Sequence, residues 1–183
     1  MKDLCDLGTV TLETARLILR RFTEADAPRV FEGWTGDEKC AARCTWRVHP
    51  DALYTADILS HWIDEYEDNA YNWLVEIKDS HQPIGSITTV RTDRKNGNCE
   101  IGYCYGSRFW GQGYATEALA CVIDYLLDAC HFHTVEARHV ASNPASGRVM
   151  QKAGMKLDAR LPERHYNTEA ETFEDVLIYS IKR

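Results

Sequence analysis

The segment from Arg108 to Ala115 has the residue types of an anion-binding loop. It follows a strand-like run, precedes an amphipathic helix and contains two glycines. The first amides of a helix have no partner within the helix, and the helix dipole attracts a negative group to them. Glycines let the backbone approach the anion closely, and Arg108 could add a charged donor. The pattern therefore predicts a site for a phosphate-bearing ligand, formed by Arg108, Phe109, Trp110, Gly111, Gln112, Gly113, Tyr114 and Ala115.

This loop departs from the best-known phosphate-binding motifs. It lacks the third glycine of a dinucleotide fingerprint and the Gly-Lys-Ser/Thr ending of a P-loop. Two glycines before a helix also serve simple turn geometry. Taken alone, the loop leaves both interpretations open.

The elements that position the loop follow from hydrophobic periodicity. Strands are predicted near residues 15–22, 72–78, 83–92, 99–105, 134–141, 156–166 and 172–181. Helices are predicted from the Thr23 cap to about Trp34, from after Pro50 to about Asp68, after Gly113, and from about Pro144 to Ala153. Hairpins on both sides of alternating strands and helices predict an α/β (α+β) layer. We expect a mixed, mostly antiparallel twisted sheet of about seven strands, flanked by about four helices.

Bulk properties restrict the class of protein. A length of 183 residues fits one domain, residues 1–183, and a net charge of −7 argues against a nucleic-acid partner. No apolar run is long enough for a membrane span, and no signal-like segment begins the sequence, so we expect a cytoplasmic protein without a membrane partner. The seven cysteines are expected to be reduced, and neither the Cys40/Cys44 nor the His131/His133 spacing favours a metal.

Several motifs together resemble one superfamily. The Arg108 to Gly113 loop resembles the pyrophosphate loop of the GNAT acetyltransferases, and the run from Asn143 to Met155 resembles their second motif. The opening Thr14–Arg20 and the closing Asp175–Ser180 are similar to the ribosomal-protein N-terminal branch, the RimJ/RimL type. The resemblance extends from about residue 11 to the C-terminus with order and spacing kept. It implies the GNAT fold and a transferase that uses acetyl-CoA as co-substrate, without a metal.

The resemblance also implies positions for the coenzyme. Amides from Arg108 to Gly113 would hold its pyrophosphate. The strand end at Cys104, Tyr105 and Gly106 would pair with the amide-bearing arm, as a strand is added to a sheet edge. In this superfamily that strand diverges from its neighbour, which opens the cleft for the thioester. Asn143 and Ser146 would lie near the arm and the sulfur.

Three residues are candidates for catalysis. Acetyl transfer needs a neutral amine, so a proton acceptor is useful. Glu100 aligns with the base of the histone-acetylating branch, and a solvated strand glutamate is the alternative interpretation. His165 stands where the ribosomal-protein branch has a glutamate, with Glu163 expected on the same strand face. Met150 replaces the tyrosine that many members use as the acid, which leaves Ser146 as the donor to the thiolate or as a helix-start serine.

The acceptor is left open by the sequence. One hypothesis is a peptide or protein N-terminus, and a second is a small amine such as a polyamine, an amino acid or an antibiotic. A third, of a different class, is an acetyl-CoA-binding module without turnover. The segments 36–51 and 64–72 are expected to border the acceptor groove. Cys104 is chemically able to carry an acetyl group, although direct transfer is the superfamily's habit. A homodimer is common in the branch and is expected here.

Overall fold

The computed structural model describes residues 3–167 and 170–182. The two ends of the expected 1–183 domain lie outside this range. Eight strands form one sheet: β1 (Leu12–Glu13), β2 (Leu17–Arg20), β3 (Asn72–Ile77), β4 (Gln82–Asp93), β5 (Asn98–Tyr105), β6 (Thr134–Val140), β7 (Lys156–Asn167) and β8 (Thr172–Lys182). Five α-helices accompany it: α1 (Ala27–Val30), α2 (Glu38–Ala41), α3 (Ala52–Asp64), α4 (Tyr114–Asp124) and α5 (Pro144–Lys152).

The sheet is antiparallel except at one pair of strands. Its order is β1-β2-β3-β4-β5-β6-β8-β7, and β5 and β6 are parallel. Their pairing covers only Asn98 to Glu100 on β5, opposite Thr134 to Glu136 on β6. Beyond these residues β5 continues to Tyr105 beside β4, while β6 continues to Val140 beside β8. The two strands therefore diverge, and a wedge-shaped cleft opens between Ile101–Tyr105 and the end of β6.

Hydrophobic burial on the two sheet faces holds this arrangement. On one face α4 buries Ala118, Leu119 and Val122 against Cys99 and Ile101 of β5. On the other face α1 and α3 form a smaller cluster around Trp34 and Leu59. The helical spacing in α4 and the alternation in β5 each place apolar side chains toward the same core. Because β5 and α4 pack into the same core, both ends of the loop that joins them are held in place.

The structure confirms the predicted fold class and the antiparallel β3-β4-β5 meander. It adds β1, a two-residue strand too short to give a periodic signal, and the four-residue α2. The helix predicted from Thr23 to Trp34 is divided into a 3₁₀ turn (Glu24–Asp26), α1 and a π-helical turn (Phe31–Thr35). Similar turns extend α3 through Asp68 and α4 through Ala129.

In the part of the chain that the structure covers, none of the helices combines the length and the apolar character needed to cross a bilayer. All seven cysteines are free thiols. Among the described residues, His, Cys, Asp and Glu side chains form no cluster suited to a metal ion.

Candidate active site

The loop from β5 to α4 presents uncovered amides at a helix start. Gly111 and Gly113 have φ of 76° and 84°, a left-handed conformation that L side chains rarely adopt. Gly113 is the N-cap of α4, and since it has no side chain, no capping group covers the first amides of the helix. Residues 110–113 are exposed. An anionic group could therefore reach the start of α4 from solvent.

Close backbone packing fixes the beginning of this loop. A Cβ added to Gly106 would lie 2.1 Å from the carbonyl oxygen of Gly33, so only glycine fits there. The amide of Ser107 donates to Asp37 Oδ2 at 2.7 Å. Burial alone would raise the pKa of Asp37, but the hydrogen bonds from Ser107, together with those from Cys40 and Lys39, outweigh it and lower the pKa. The carboxylate thus ties the start of α2 to the loop.

Arg16 holds the other end of the loop. Its Nε lies 2.7 Å from Glu117 Oε2, its Nη1 donates to the carbonyl of Gln112 at 3.1 Å, and its guanidinium lies 4.5 Å above the Tyr114 ring. Burial would raise the pKa of Glu117, but hydrogen bonds from Thr14 and Arg16 outweigh it and lower the pKa. Arg16 therefore connects β2 to the first turn of α4.

Arg108 and Trp110 have separate surroundings. The guanidinium of Arg108 lies 4.8 Å above the Phe109 ring and lines a cavity of about 260 Å³ with Arg29 and Gln82. Trp110 is about half exposed, and its Nε1 donates to the carbonyl of Tyr105 at 2.7 Å. The predicted loop residues are thus contiguous in space. The guanidinium of Arg108, however, lines the cavity beside Arg29 and Gln82.

The cleft provides an unpaired sheet edge. On the side facing β6, Ile101 to Tyr105 have no strand partner in the described sheet, because the parallel pairing ends at Glu100. Such an edge can accept an extended, amide-containing chain. The segment after α2 reaches across the cleft, where Arg43 Nη1 donates to the carbonyl of Ser142 at 3.2 Å. A bound chain would therefore lie between β5 and the start of α5.

Asn143 and Ser146 lie at the start of α5. Asn143 is the N-cap, and its Oδ1 accepts from the Ser146 amide at 3.4 Å. The Ser146 hydroxyl is 2.9 Å from the Tyr103 hydroxyl, which also donates to the Ser146 carbonyl at 2.9 Å. A contact between β5 and α5 therefore spans the cleft. Tyr103 was absent from the sequence-based set, since its partner lies 43 positions away.

Glu100 lies at the apex of the cleft, in the last pair of the parallel ladder. Its side chain is buried, with 6% of the residue exposed, and it forms an ion pair with Arg138 of β6. Tyr103 is three positions further along β5, a distance of about 10 Å at the rise of an extended strand. Alternation places Glu100 and Cys104 on the face opposite Tyr103. The carboxylate therefore lies deep in the cleft, away from direct contact with Ser146.

His165 lies at the far end of the cleft from Glu100. His165 on β7 pairs with Glu174 on β8. Glu100 on β5 pairs with Glu136 on β6, which in turn pairs with Ser180 on β8. Six residues of β8 separate these two rows, about 20 Å, so Glu100 and His165 cannot contact the same amine. Glu174 Oε2 accepts from the amide of Ser142 at 2.9 Å, which places His165 near the start of α5.

The expectation that Glu163 shares a strand face with His165 does not hold. The β7–β8 register shifts between Leu161 and His165, and Glu163 has a φ of 51°. A bulge of this kind interrupts the two-residue alternation. Pro162, which lies in the shifted segment directly before Glu163, is the sequence signal that could have indicated the bulge, because proline interrupts a strand ladder.

Cys104 belongs to a group of three thiols on the α2 side of β5. Hydrogen bonds from Cys40 and then Cys44 lower the pKa of Cys104, and the Ser86 hydroxyl lies 3.3 Å from its Sγ. In return, the pKa values of Cys40 and Cys44 are raised by the interaction with Cys104. The group belongs to the apolar cluster around Trp34 and Leu59, and Cys104 connects that cluster to the unpaired edge of β5.

An open sheet with one divergent parallel pair, and a glycine-rich helix start beside the divergence, suit a ligand that has both a phosphate group and an extended amide-bearing arm. The sequence matches the acetyltransferase (GNAT) domain family over residues 16–156, and the chain belongs to this family. It is an acetyl-CoA-dependent N-acetyltransferase.

Curated relatives agree with this assignment, and solved structures share the fold. The chain is 29% identical over 172 residues to the uncharacterized N-acetyltransferase YoaA of Bacillus subtilis (strain 168), covering 93% of this chain and 95% of YoaA. The ribosomal-protein-S5-alanine acetyltransferase of Vibrio fischeri has a TM-score of 0.81 at 20% identity, with coverage of 95% and 97%. RimL, a ribosomal L7/L12 alpha-N-protein acetyltransferase in complex with coenzyme A, has a TM-score of 0.84 at 17% identity, with coverage of 94% and 98%.

Proposed function

We propose that this enzyme acetylates the α-amine of a peptide or protein N-terminus, by direct transfer from acetyl-CoA within the β5–β6 cleft. The observation that carries the proposal is the divergence of β5 and β6 immediately after Glu100, which opens the sheet between the loop at α4 and the buried carboxylate. Two structural neighbours support a peptide acceptor by their names, a ribosomal-protein-S5-alanine acetyltransferase and the ribosomal L7/L12 alpha-N-protein acetyltransferase RimL.

The chain's own groups suit the coenzyme. The amides from Arg108 to Gly113 and the first turn of α4 would hold the diphosphate, with the loop ordered by Arg16. The unpaired edge at Cys104, Tyr105 and Gly106 would pair with the pantetheine amides, and Asn143 would shape the start of α5 beside it. When bound, the coenzyme supplies an activated acetyl group as a thioester.

In this proposal Glu100 and Ser146 act on different protons of the reaction. Glu100 accepts the proton that the acceptor's ammonium group must lose before the neutral amine attacks the thioester. Because it is some 10 Å along β5 from Tyr103, it acts through intervening water. Ser146 donates a hydrogen bond to the sulfur as the carbon–sulfur bond breaks. His165 is too far from Glu100 to share this work, and we assign it to the rim of the cleft near Ser142.

A small amine is the second candidate acceptor, and one observation favours it. A cavity of about 440 Å³ adjoins Glu100 and is lined by Glu136 and Arg91, with the β4–β5 turn at its edge. Pockets for small ligands have volumes of this order. Its lining balances the carboxylates of Asp93, Glu100 and Glu136 against the cations of Arg91, Arg94 and Lys95, so its size and not its charge favours a small acceptor. A cavity of this size is also sufficient for the first side chain of a peptide.

The test compares acceptors at saturating acetyl-CoA. Release of free thiol is measured with a panel of peptides that differ in their first residue, with the same peptides N-acetylated as matched controls, and with polyamines, amino acids and aminocyclitols. A peptide acceptor predicts kcat/KM that depends on the first residue and falls to background when the α-amine is blocked. Turnover confined to small amines would overturn the peptide assignment.

We also propose that the enzyme is a cytoplasmic homodimer. The exposed rings of Tyr166 and Phe173 pack at 5.1 Å on the β7–β8 hairpin and offer an apolar surface for a second copy. Light scattering on the purified chain measures its mass directly. A monomer at micromolar concentration would contradict this part of the proposal.

A further inference from the structure

The contact between Tyr103 and Ser146 contains two possible acceptors for a single phenolic proton. The Tyr103 oxygen is 2.9 Å from the Ser146 carbonyl oxygen and 2.9 Å from the Ser146 hydroxyl oxygen. When the phenol donates to the carbonyl, the serine hydroxyl can donate to the phenol. When the phenol donates to the serine oxygen, the serine proton is free to point elsewhere. The pair can therefore direct the serine proton away from Tyr103 without moving a heavy atom.

The acidities of the groups decide what the pair can do. Burial raises the pKa of Tyr103 to about 12, partly offset by its hydrogen bond with Ser146. An ordinary thiol has a pKa of roughly 8.5. A phenol that is a weaker acid than the thiol will not transfer its proton to the departing thiolate at equilibrium. It stays neutral and donates a hydrogen bond.

We propose that Tyr103 is a positioning residue for the acetyl transfer. Its phenol donates to the hydroxyl oxygen of Ser146 and so directs the hydroxyl proton of Ser146 to the coenzyme's sulfur. This inference rests on the proposed role of Ser146. As the nitrogen–carbon bond forms and the carbon–sulfur bond breaks, the electron pair remains on sulfur, and the two hydroxyl groups form a donor chain toward it. Such chains polarise each member and strengthen the last hydrogen bond. The ammonium proton leaves separately, through Glu100 and water.

This role explains how the chain manages without the usual tyrosine of the second motif. Met150 occupies that position and is buried in the core. Tyr103 supplies a phenol to the start of the same helix, α5, from the opposite wall of the cleft. Its ring packs against the core that α4 and α5 share, which fixes the phenol.

The test measures the ionisation of bound coenzyme A, and it needs no acceptor. The thiolate absorbs in the ultraviolet, so a pH titration of the complex, with the matching titration of the free protein and its seven thiols subtracted, gives the midpoint of the bound coenzyme thiol. A hydrogen bond to a charged group is strong enough to move this midpoint by about one pH unit. We expect the bound thiol in the wild-type complex to ionise at lower pH than free coenzyme A, and Tyr103→Phe to raise the midpoint by about one pH unit. The affinity for coenzyme A should change less than threefold.

Tyr125→Phe is the matched control. Its hydroxyl also donates to a backbone carbonyl, that of Gly8, at 2.8 Å, and burial likewise raises its pKa. This variant should leave the midpoint unchanged. Together with Tyr103→Phe, the Ser146→Ala variant and the Tyr103→Phe/Ser146→Ala double variant form a double-mutant cycle. If Tyr103 acts through Ser146, the tyrosine change has no further effect once the serine is absent.

The outcomes separate the inference from the proposed function. An unchanged midpoint in Tyr103→Phe, or additive shifts in the double variant, would overturn the role of Tyr103 while leaving coenzyme binding intact. Failure of the wild-type protein to bind coenzyme A would overturn the proposed site, and this inference with it. If Tyr103→Phe unfolds, Tyr103→Met supplies a flexible apolar side chain without a hydrogen-bond donor and should show the same raised midpoint.

Discussion

Replacing Arg16 by alanine should weaken coenzyme binding while leaving the catalytic groups in place. Three contacts are lost: the ion pair with Glu117, the hydrogen bond to the Gln112 carbonyl and the contact over the Tyr114 ring. The guanidinium is 46% exposed, so the ion pair is worth at most about 1 kcal/mol. The hydrogen bond adds about 0.5–1.5 kcal/mol, and the cation–π contact adds about 0.5–1 kcal/mol.

Together these contacts order the loop by about 2 kcal/mol, allowing for their overlap. Only protein molecules with an ordered loop bind coenzyme A in this account. The apparent affinity therefore falls in proportion to the fraction of molecules whose loop is ordered. We therefore expect calorimetry to show a dissociation constant for coenzyme A raised about thirtyfold, with kcat at saturation changed less than twofold. Arg16→Lys should recover only part of the loss, because an ammonium group cannot make the fork-shaped contacts.

Arg21→Ala is the control for this experiment. Arg21 also donates to a backbone carbonyl, that of Thr9 at 2.9 Å, and lies 4.8 Å above the Tyr66 ring, but it does not contact the loop. It should lower stability without altering the dissociation constant for coenzyme A. Equal affinities in the Arg16→Ala and Arg21→Ala proteins would refute the idea that Arg16 orders the loop.

Three further predictions concern separate regions of the molecule. Glu100→Gln should reduce kcat at least tenfold with coenzyme affinity nearly unchanged, and undiminished turnover would remove Glu100 as the base. Burial would raise the pKa of Asp26, but hydrogen bonds from Arg20 and Thr23 outweigh it and lower the pKa below its ordinary 3.8. Its contribution to stability is therefore complete above about pH 4 and lost as the pH falls through the lowered value. In urea unfolding, Asp26→Asn should cost about 1–3 kcal/mol at pH 7 and progressively less below pH 4, whereas a cost independent of pH would contradict the assignment. Because its pKa is lowered, Cys104 should react with iodoacetamide before Cys40 or Cys44, and bound acetyl-CoA should slow that reaction. Uniform labelling would count against the lowered pKa of Cys104, and labelling insensitive to the ligand would count against its position beside the coenzyme.

Local patterns in the sequence were sufficient to predict most strands of the sheet. The apolar stripe of α4 and the alternation in β5 fixed both sides of the loop, and the Lys95–Asn98 turn closed the β4–β5 hairpin as predicted. The glycines at 111 and 113 were recognisable because few other residues tolerate a positive φ. These features depend on neighbours within a few positions along the chain.

Contacts between distant segments could not be predicted in this way. Arg16 meets Glu117 across 101 positions, and Tyr103 meets Ser146 across 43. Neither pair has a spacing that periodicity can detect, since each arises from strand order and helix packing. The divergence of β5 from β6 entered only through the resemblance to a family, and the ion pair of Glu100 with Arg138 depends on it.

The central claim is that the amides at the start of α4 hold the diphosphate of coenzyme A. Calorimetric titration of the wild-type protein with coenzyme A and with pantetheine, which lacks the diphosphate and the nucleotide, tests it most directly. Two or three charge-assisted hydrogen bonds predict that coenzyme A binds at least about a hundredfold more tightly. Equal affinities, or no heat of binding with coenzyme A at millimolar concentration, would contradict the claim.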